Sequence, residues 1–147
     1  MHRRLLLVMG LLSLAAAASA QPAADGVVIV KSISGAVRVH RQAGVLDVVP
    51  GMTLQVTDRV TTGADASAAF VFRDGTLLTL GSNADVQLRA YVFEPKDAQY
   101  GFSIYLAKGS AIYSSGKIGK MAPQSVRVET PTGAVGVRGT RFIIEAQ

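Results

Sequence analysis

The feature that most constrains the fold of this chain is a series of short segments in which apolar and polar residues alternate, separated by glycine-containing turns. Val37 and Val39 alternate with polar neighbours, and Phe102, Ile104 and Leu106 repeat the pattern later in the chain. Such segments recur about every eight to twelve residues, which is the spacing of an all-β sandwich, barrel or solenoid. No segment between residues 26 and 144 has a convincing helical period, so the sequence predicts an all-β fold.

The same patterning predicts which side chains are buried. Residues 27–30 are continuously apolar, as expected for a strand buried on both faces. Residues 66–72 place one apolar set on a single face, namely Ala68, Phe70 and Phe72. In residues 85–93 the predicted apolar face consists of Val86, Leu88, Ala90 and Val92, and Tyr91 is predicted to lie on the opposite face with Gln87 and Arg89. Asp74-Gly75 predicts a tight turn, and residues 94–100 and 114–124 are predicted to be surface loops that are able to bind a partner.

The first twenty residues have the composition of an export signal rather than of a folded element. His2, Arg3 and Arg4 precede an apolar run at residues 5–14, and the small residues Ala18-Ser19-Ala20 follow it. We therefore expect a signal peptide at residues 1–20, cleavage after Ala20, and a periplasmic or secreted protein. No second apolar segment follows, so we expect no membrane-spanning segment after cleavage.

The remaining residues, 21–147, are enough for one domain with one core. There is no cysteine, so disulfides cannot stabilise it. The whole chain has 15 Lys and Arg against 10 Asp and Glu; without Arg3 and Arg4 the count is 13 against 10, a net charge of +3. This weak basic excess is compatible with anionic envelope partners. Because the sequence has no motif for DNA or RNA binding, we expect no nucleic-acid partner.

Residues suited to catalysis are scarce, so the sequence predicts a protein that is not an enzyme. His40 is the one histidine beyond residue 20, and no nucleophile motif accompanies it. Ser114 and Lys117 have the Ser-x-x-Lys spacing, but Gly116 between them favours a turn. No carboxylates stand at metal-loop spacing around Asp74, and we expect no catalytic residue, metal or cofactor.

Several motifs, in order, are similar to those of the FecR domain, a bacterial envelope signalling module. They are residues 49–54 (VPGMTL), 58–63 (DRVTTG), 68–76 (AAFVFRDGT), 80–83 (LGSN), 108–109 (KG) and the closing segment 126–142 (VRVETPTGAVGVRGTRF). The resemblance implies an all-β, solenoid-like module in the periplasm; the patterning alone also allows a sandwich-like one. It further implies recognition of another envelope component, because the family members that regulate iron uptake relay the state of an outer-membrane transporter to a sigma factor.

We therefore predict an exported FecR-like binding module whose partner is an envelope protein. The predicted contact residues are Arg138, Arg141, Tyr105, Tyr113 and Lys117. Two arginines near the closing motif suit an anionic group, because a guanidinium donates paired hydrogen bonds to carboxylates. The tyrosines suit either a partner surface or strand packing. The alternative is a module that binds peptidoglycan or another anionic glycan through the basic last third of the chain and the tyrosines.

Overall fold

A computed structural model describes residues 26–136 and 139–147 of the chain, which form a curled β-sheet and one short helix. The helix, α1, spans Lys117–Met121. In chain order the strands are β1 (Val28–Ser34), β2 (Val37–Arg41), β3 (Gly44–Asp47), β4 (Thr53–Leu54), β5 (Arg59–Thr62), β6 (Ser67–Phe72), β7 (Leu77–Leu80), β8 (Asp85–Glu94), β9 (Gln99–Ser114), β10 (Val126–Thr130), β11 (Gly133–Gly136) and β12 (Arg141–Ala146). The all-β prediction is confirmed. The predicted signal peptide lies outside the described residues.

The strands form two groups that share β9. One group has the order β4-β1-β6-β7-β9-β12, and the other has the order β3-β2-β5-β8-β9-β10-β11. All described pairs are antiparallel except β9 with β10. Neighbours in a β-helical solenoid stack in parallel, so the antiparallel order agrees with the sandwich-like alternative rather than with the solenoid-like one.

Strand β9 joins the two groups because it changes neighbours partway along its length. Its first part pairs with β8 as far as Lys108, and its last part pairs with β7 from Ala111 onward. Gly109 lies between them with φ +88°, a left-handed conformation that favours glycine. A Cβ at this position would lie 2.5 Å from the Cα of Ala84. The Lys-Gly pair of the sequence therefore marks a point where two backbones meet closely.

The core lies between the two strand groups. Strands of the first group contribute Val28, Phe70 and Leu78, and strands of the second contribute Val39, Val86, Ile104 and Leu106, all of them buried. The predicted inward faces of residues 66–72 and 102–106 are confirmed. The prediction for residues 27–30 is wrong, because Ile29 is 53% exposed. This strand alternates like its neighbours, since only one of its faces meets the core.

A β-bulge in β8 changes the predicted face of its second half. The pairing with β9 shifts between Leu88 and Ala90, so the alternation of buried side chains also shifts. Beyond the bulge Ala90 and Val92 are exposed, and Tyr91 points into the core instead. The sequence prediction for these three residues is wrong, because alternation was extrapolated through an extra residue.

The two predicted loops differ in the structure. The first lies at the surface but is short, since β8 ends at Glu94 and β9 begins at Gln99. The second is not a plain loop: it contains α1, in which Ile118 is 0% exposed, followed by a 3-10 turn at Pro123–Ser125. Five residues are too few to display a helical period, so α1 could not be recognised from patterning. Within the part of the chain that is described, no helix is long and apolar enough to span a bilayer.

Candidate partner-binding surface

Two of the predicted contact residues lie at one corner of the molecule. Lys117 is the first residue of α1 and Arg141 is the first residue of β12, and both are exposed. Ser114 of β9 lies opposite Arg141, and the chain reaches Lys117 three residues later. Lys120, on the next part of α1, is also exposed. We call Lys117, Lys120 and Arg141 the basic corner.

The backbone of the basic corner is held by contacts between the start of β12 and the segment before α1. Ser115 N donates to the carbonyl of Thr140 at 2.8 Å, and the Ser115 hydroxyl donates to the carbonyl of Gly139 at 2.8 Å. Two hydrogen bonds from one residue fix the approach of the two segments. Arg138, predicted to lie at this corner, falls outside the described residues.

A buried carboxylate ties α1 to the turn between β6 and β7. Asp74 is 3% exposed, and its carboxylate accepts hydrogen bonds from Thr76 N at 3.2 Å, Thr76 Oγ1 at 2.7 Å, Tyr91 Oη at 2.9 Å and Ile118 N at 3.0 Å. Its carbonyl accepts from Lys117 N at 2.9 Å. A buried polar group needs hydrogen-bond partners of this kind to offset its desolvation. The Asp-Gly-Thr motif is therefore a structural device that sets the position of Lys117.

Tyr91 completes this network because the bulge in β8 turns it inward. Its hydroxyl donates to Asp74 Oδ1 and accepts from Asp74 N, each at 2.9 Å. Burial raises the pKa of the Tyr91 phenol well above its ordinary value, so the hydroxyl stays protonated and remains a donor. Sequence alternation placed Tyr91 on the outer face and so missed its partnership with Asp74.

Gly116 permits the close approach of α1 to the β6–β7 turn. A Cβ on Gly116 would overlap the backbone N of Thr76 and would lie 2.6 Å from the carbonyl oxygen of Asp74. Its φ of −95° is open to any residue, so the requirement for glycine is steric and not conformational. The neighbouring Gly75 has φ +88° and open space around it, which is a conformational requirement.

Tyr113 is a core residue, and its predicted contact with a partner is wrong. Its side chain is 0% exposed and lies between Phe102, at 5.4 Å between ring centroids, and Phe142, at 4.8 Å. Its hydroxyl is buried without a hydrogen-bond partner among the described residues. Burial raises the pKa of this phenol. Strand alternation alone does not separate an inward tyrosine from an outward one, because tyrosine occupies both faces of sheets.

Tyr105 is half-buried on the outer face and lies away from the basic corner, nine residues before Ser114 on β9. The guanidinium of Arg89 lies over its ring at 4.3 Å from the centroid. Arg89 also pairs with Glu129 at 2.7 Å, and Arg127 pairs with the other oxygen of Glu129 at 2.6 Å. The aromatic face is therefore covered by a cation, and that cation already has an anionic partner.

A shallow pocket of about 360 Å³ adjoins this group at the β10–β11 turn, lined by Arg127, Glu129, Thr130, Pro131, Thr132, Gly133 and Ala134. Glu129 neutralises the arginine at its wall. Among the residues that the structure describes, no aromatic side chain lines the pocket, and Tyr91 and Tyr113 lie in the core. The rings of Tyr91 and Tyr113 are therefore not exposed at this surface.

A second exposed surface, at β3, was not predicted from the sequence. Val45 and Leu46 in this strand are 54% and 48% exposed, and Val49 just beyond it is 56% exposed. Strand β3 pairs with β2 alone among the described strands. All four residues of β3 are exposed, and its sequence does not alternate between apolar and polar residues. The pattern that identifies the other strands is therefore missing here. No set of three or more potential metal-ligating side chains occurs together in the described ranges.

Comparison with known proteins places these elements in a family. The sequence model of the FecR protein matches residues 58–147, which include β5 to β12 and α1. No curated protein and no solved structure gives a significant match. The match spans more than half of the chain and contains both the Asp74 network and the basic corner. The chain therefore belongs to the FecR family.

Proposed function

We propose that this chain is an exported, non-enzymatic binding module that recognises another protein of the cell envelope. Membership of the FecR family supports the general assignment, because this family is associated with envelope signalling regulators. The N-terminal segment, with its basic start, apolar run and Ala18-Ser19-Ala20, supports export to the periplasm or beyond.

The observation that carries this proposal is the basic corner. Lys117 and Arg141 are exposed, while the backbone beneath them is fixed by Asp74 and Ser115. A cation on a fixed backbone loses less conformational freedom on binding than one on a mobile loop, so it is well suited to specific recognition. The partner would present an acidic group or segment to this corner.

Two features of the described surface support the choice of a protein rather than a glycan as the proposed partner. Glycan recognition would use exposed aromatic faces beside free cations, whereas the Tyr105 ring is covered by Arg89, and Glu129 pairs with both Arg89 and Arg127. The exposed apolar residues of β3, Val45 and Leu46, instead resemble the apolar contacts of protein interfaces.

Affinity capture with charge-reversal variants tests the proposal. The tagged protein is crosslinked in cells, and captured envelope components are identified by mass spectrometry. Lys117→Glu replaces an attractive contact by a repulsive one, so we expect at least about fivefold less of one dominant protein. Lys96→Glu is the matched control, because Lys96 is exposed at the β8–β9 turn and carries the same charge change.

Three outcomes decide between the candidates. One dominant protein whose capture falls with Lys117→Glu but not with Lys96→Glu supports the proposal. If Lys117→Glu captures as much of the dominant protein as Lys96→Glu does, the basic corner is not part of the binding surface. Salt-sensitive cosedimentation with purified cell-wall sacculi, without a dominant protein, would establish the peptidoglycan-binding alternative in its place.

A further inference from the structure

Strand β12 forms an edge of the sheet that is open on one side. It pairs with β9 along its whole length, from Arg141 opposite Ser114 to Ala146 opposite Gly109. No strand within residues 26–136 and 139–147 pairs with its other side. An open edge of six residues offers unpaired backbone groups to another strand.

The side of the strand to which each backbone group points follows from one hydrogen bond. Ser115 N donates to the Thr140 carbonyl at 2.8 Å, so the backbone groups of Thr140 face β9. Backbone groups alternate sides along an antiparallel strand, and those of Phe142, Ile144 and Ala146 therefore face β9. The N–H and C=O groups that face the open edge belong to the remaining residues, Arg141, Ile143 and Glu145.

These same three residues carry exposed side chains. Ile143 is 66% exposed, the most of any large apolar residue described. Arg141 and Glu145 are exposed too, and neither forms an ion pair with another described residue. One face of the edge strand thus carries a cation, an apolar side chain and an anion in that order, from Arg141 through Ile143 to Glu145.

We propose that β12 binds the β12 strand of a second copy of this chain, antiparallel and centred on Ile143. In this register Ile143 lies opposite Ile143 of the second copy, and Arg141 lies opposite Glu145 in both directions. Each pair of edge-facing residues exchanges both of its backbone hydrogen bonds across the two-fold axis. Opposite charges directly across an antiparallel pair are favourable, and like charges are unfavourable.

The charge pattern selects this register over its neighbours. A shift of two residues in one direction places Arg141 opposite Ile143, and a shift in the other places Glu145 opposite Ile143. Neither shifted pairing places Arg141 opposite Glu145. A shift of one residue would place the exposed side chains of the two copies on opposite faces of the joined sheet. The self-complementary register also covers Ile143, whose neighbour on β9 is the half-buried Ile112.

Sedimentation velocity over a concentration series from micromolar to near-millimolar tests this dimer, with protein recovered from expression of the full chain. We expect a concentration-dependent dimer in the unaltered protein. Arg141→Glu and Glu145→Arg each place like charges opposite one another twice, so each should weaken the dimer by about tenfold or more. The double variant restores both pairs and should restore the dimer.

Mixing the two single variants gives an internal control. The Arg141→Glu copy carries two acidic residues on its edge, and the Glu145→Arg copy carries two basic ones. Opposite charges then meet at both pairs, so a heterodimer should form where neither variant dimerises alone. Circular dichroism checks that both single variants fold. Ile143→Pro removes an edge-facing N–H that β9 does not use, and it should also abolish the dimer.

The results separate this inference from the proposed partner. Glu145→Arg should weaken self-association and leave capture of the envelope protein unchanged, because Glu145 lies on β12 but outside the basic corner. A monomer at every concentration would overturn the inference, as would a dimer that survives Arg141→Glu, Glu145→Arg and Ile143→Pro alike. Loss in both single variants with recovery in the double variant and in the mixture supports it.

Discussion

Removal of the Asp74 carboxylate tests whether the Asp-Gly-Thr motif has the structural role described above. Asp74→Ala leaves three residues with unpaired buried donors, namely Thr76, Tyr91 and Ile118. An unsatisfied buried donor costs about 1–3 kcal/mol.

The expected total is about 4 kcal/mol of unfolding free energy, from four such donors at about 1 kcal/mol each, the low end of this range. This is a large part of the roughly 5–15 kcal/mol that stabilises a typical domain. For a domain of this size it corresponds to a melting temperature lower by about 15 °C. Asp74→Asn keeps one acceptor oxygen but turns a donor toward either Ile118 N or Thr76, so its loss should be about half as large.

Urea denaturation followed by circular dichroism measures these losses. Asp47→Ala is the matched control, because the Asp47 side chain is 86% exposed and pairs with Arg38 only at 3.7 Å. It should change stability by less than about 0.5 kcal/mol. A loss of less than about 1 kcal/mol in Asp74→Ala as well would show that hydrogen bonds to Asp74 do not hold α1 in place.

Two further predictions concern the same region. Gly116→Ala should lower the unfolding free energy by about 3 kcal/mol, because its Cβ meets backbone atoms that cannot yield. Gly75→Ala, whose Cβ meets open space at φ +88°, should cost only about 1 kcal/mol, and equal losses in urea denaturation would contradict the steric argument. Stability should also fall above about pH 10, because burial raises the folded-state pKa of both Tyr91 and Tyr113 above the unfolded value. Above this pH the unfolded chain loses the two phenol protons that the folded chain retains. The tyrosinate absorbance of Tyr91 and Tyr113 should therefore appear together with unfolding. Tyrosinate absorbance from these two residues in the folded protein would contradict the prediction.

Strand positions and inward faces could largely be predicted from sequence, because each depends on alternation within a few residues. Phe102, Ile104 and Leu106 alternate in sequence and are buried as predicted. The Asp74-Gly75 turn joins β6 to β7, also as predicted. These features are local, and local patterning determines them.

Features that depend on distant segments were missed. The bulge in β8 arises from its register with β9, and it reverses the faces of Ala90 and Tyr91. The position of α1 depends on Asp74, which lies 44 residues before Ile118. The predicted contact residues also divide in this way. Arg141 and Lys117 are exposed at one corner, as predicted, whereas Tyr113 lies in the core because of how distant strands pack around it.

The most direct test of the central claim is site-specific photocrosslinking in living cells. A photoreactive residue replaces Lys117 at the basic corner, or Lys96 at the remote β8–β9 turn as the control. We expect one dominant envelope protein to be attached at position 117 and not at position 96. The same products at both positions, or cell-wall fragments at position 117, would contradict it.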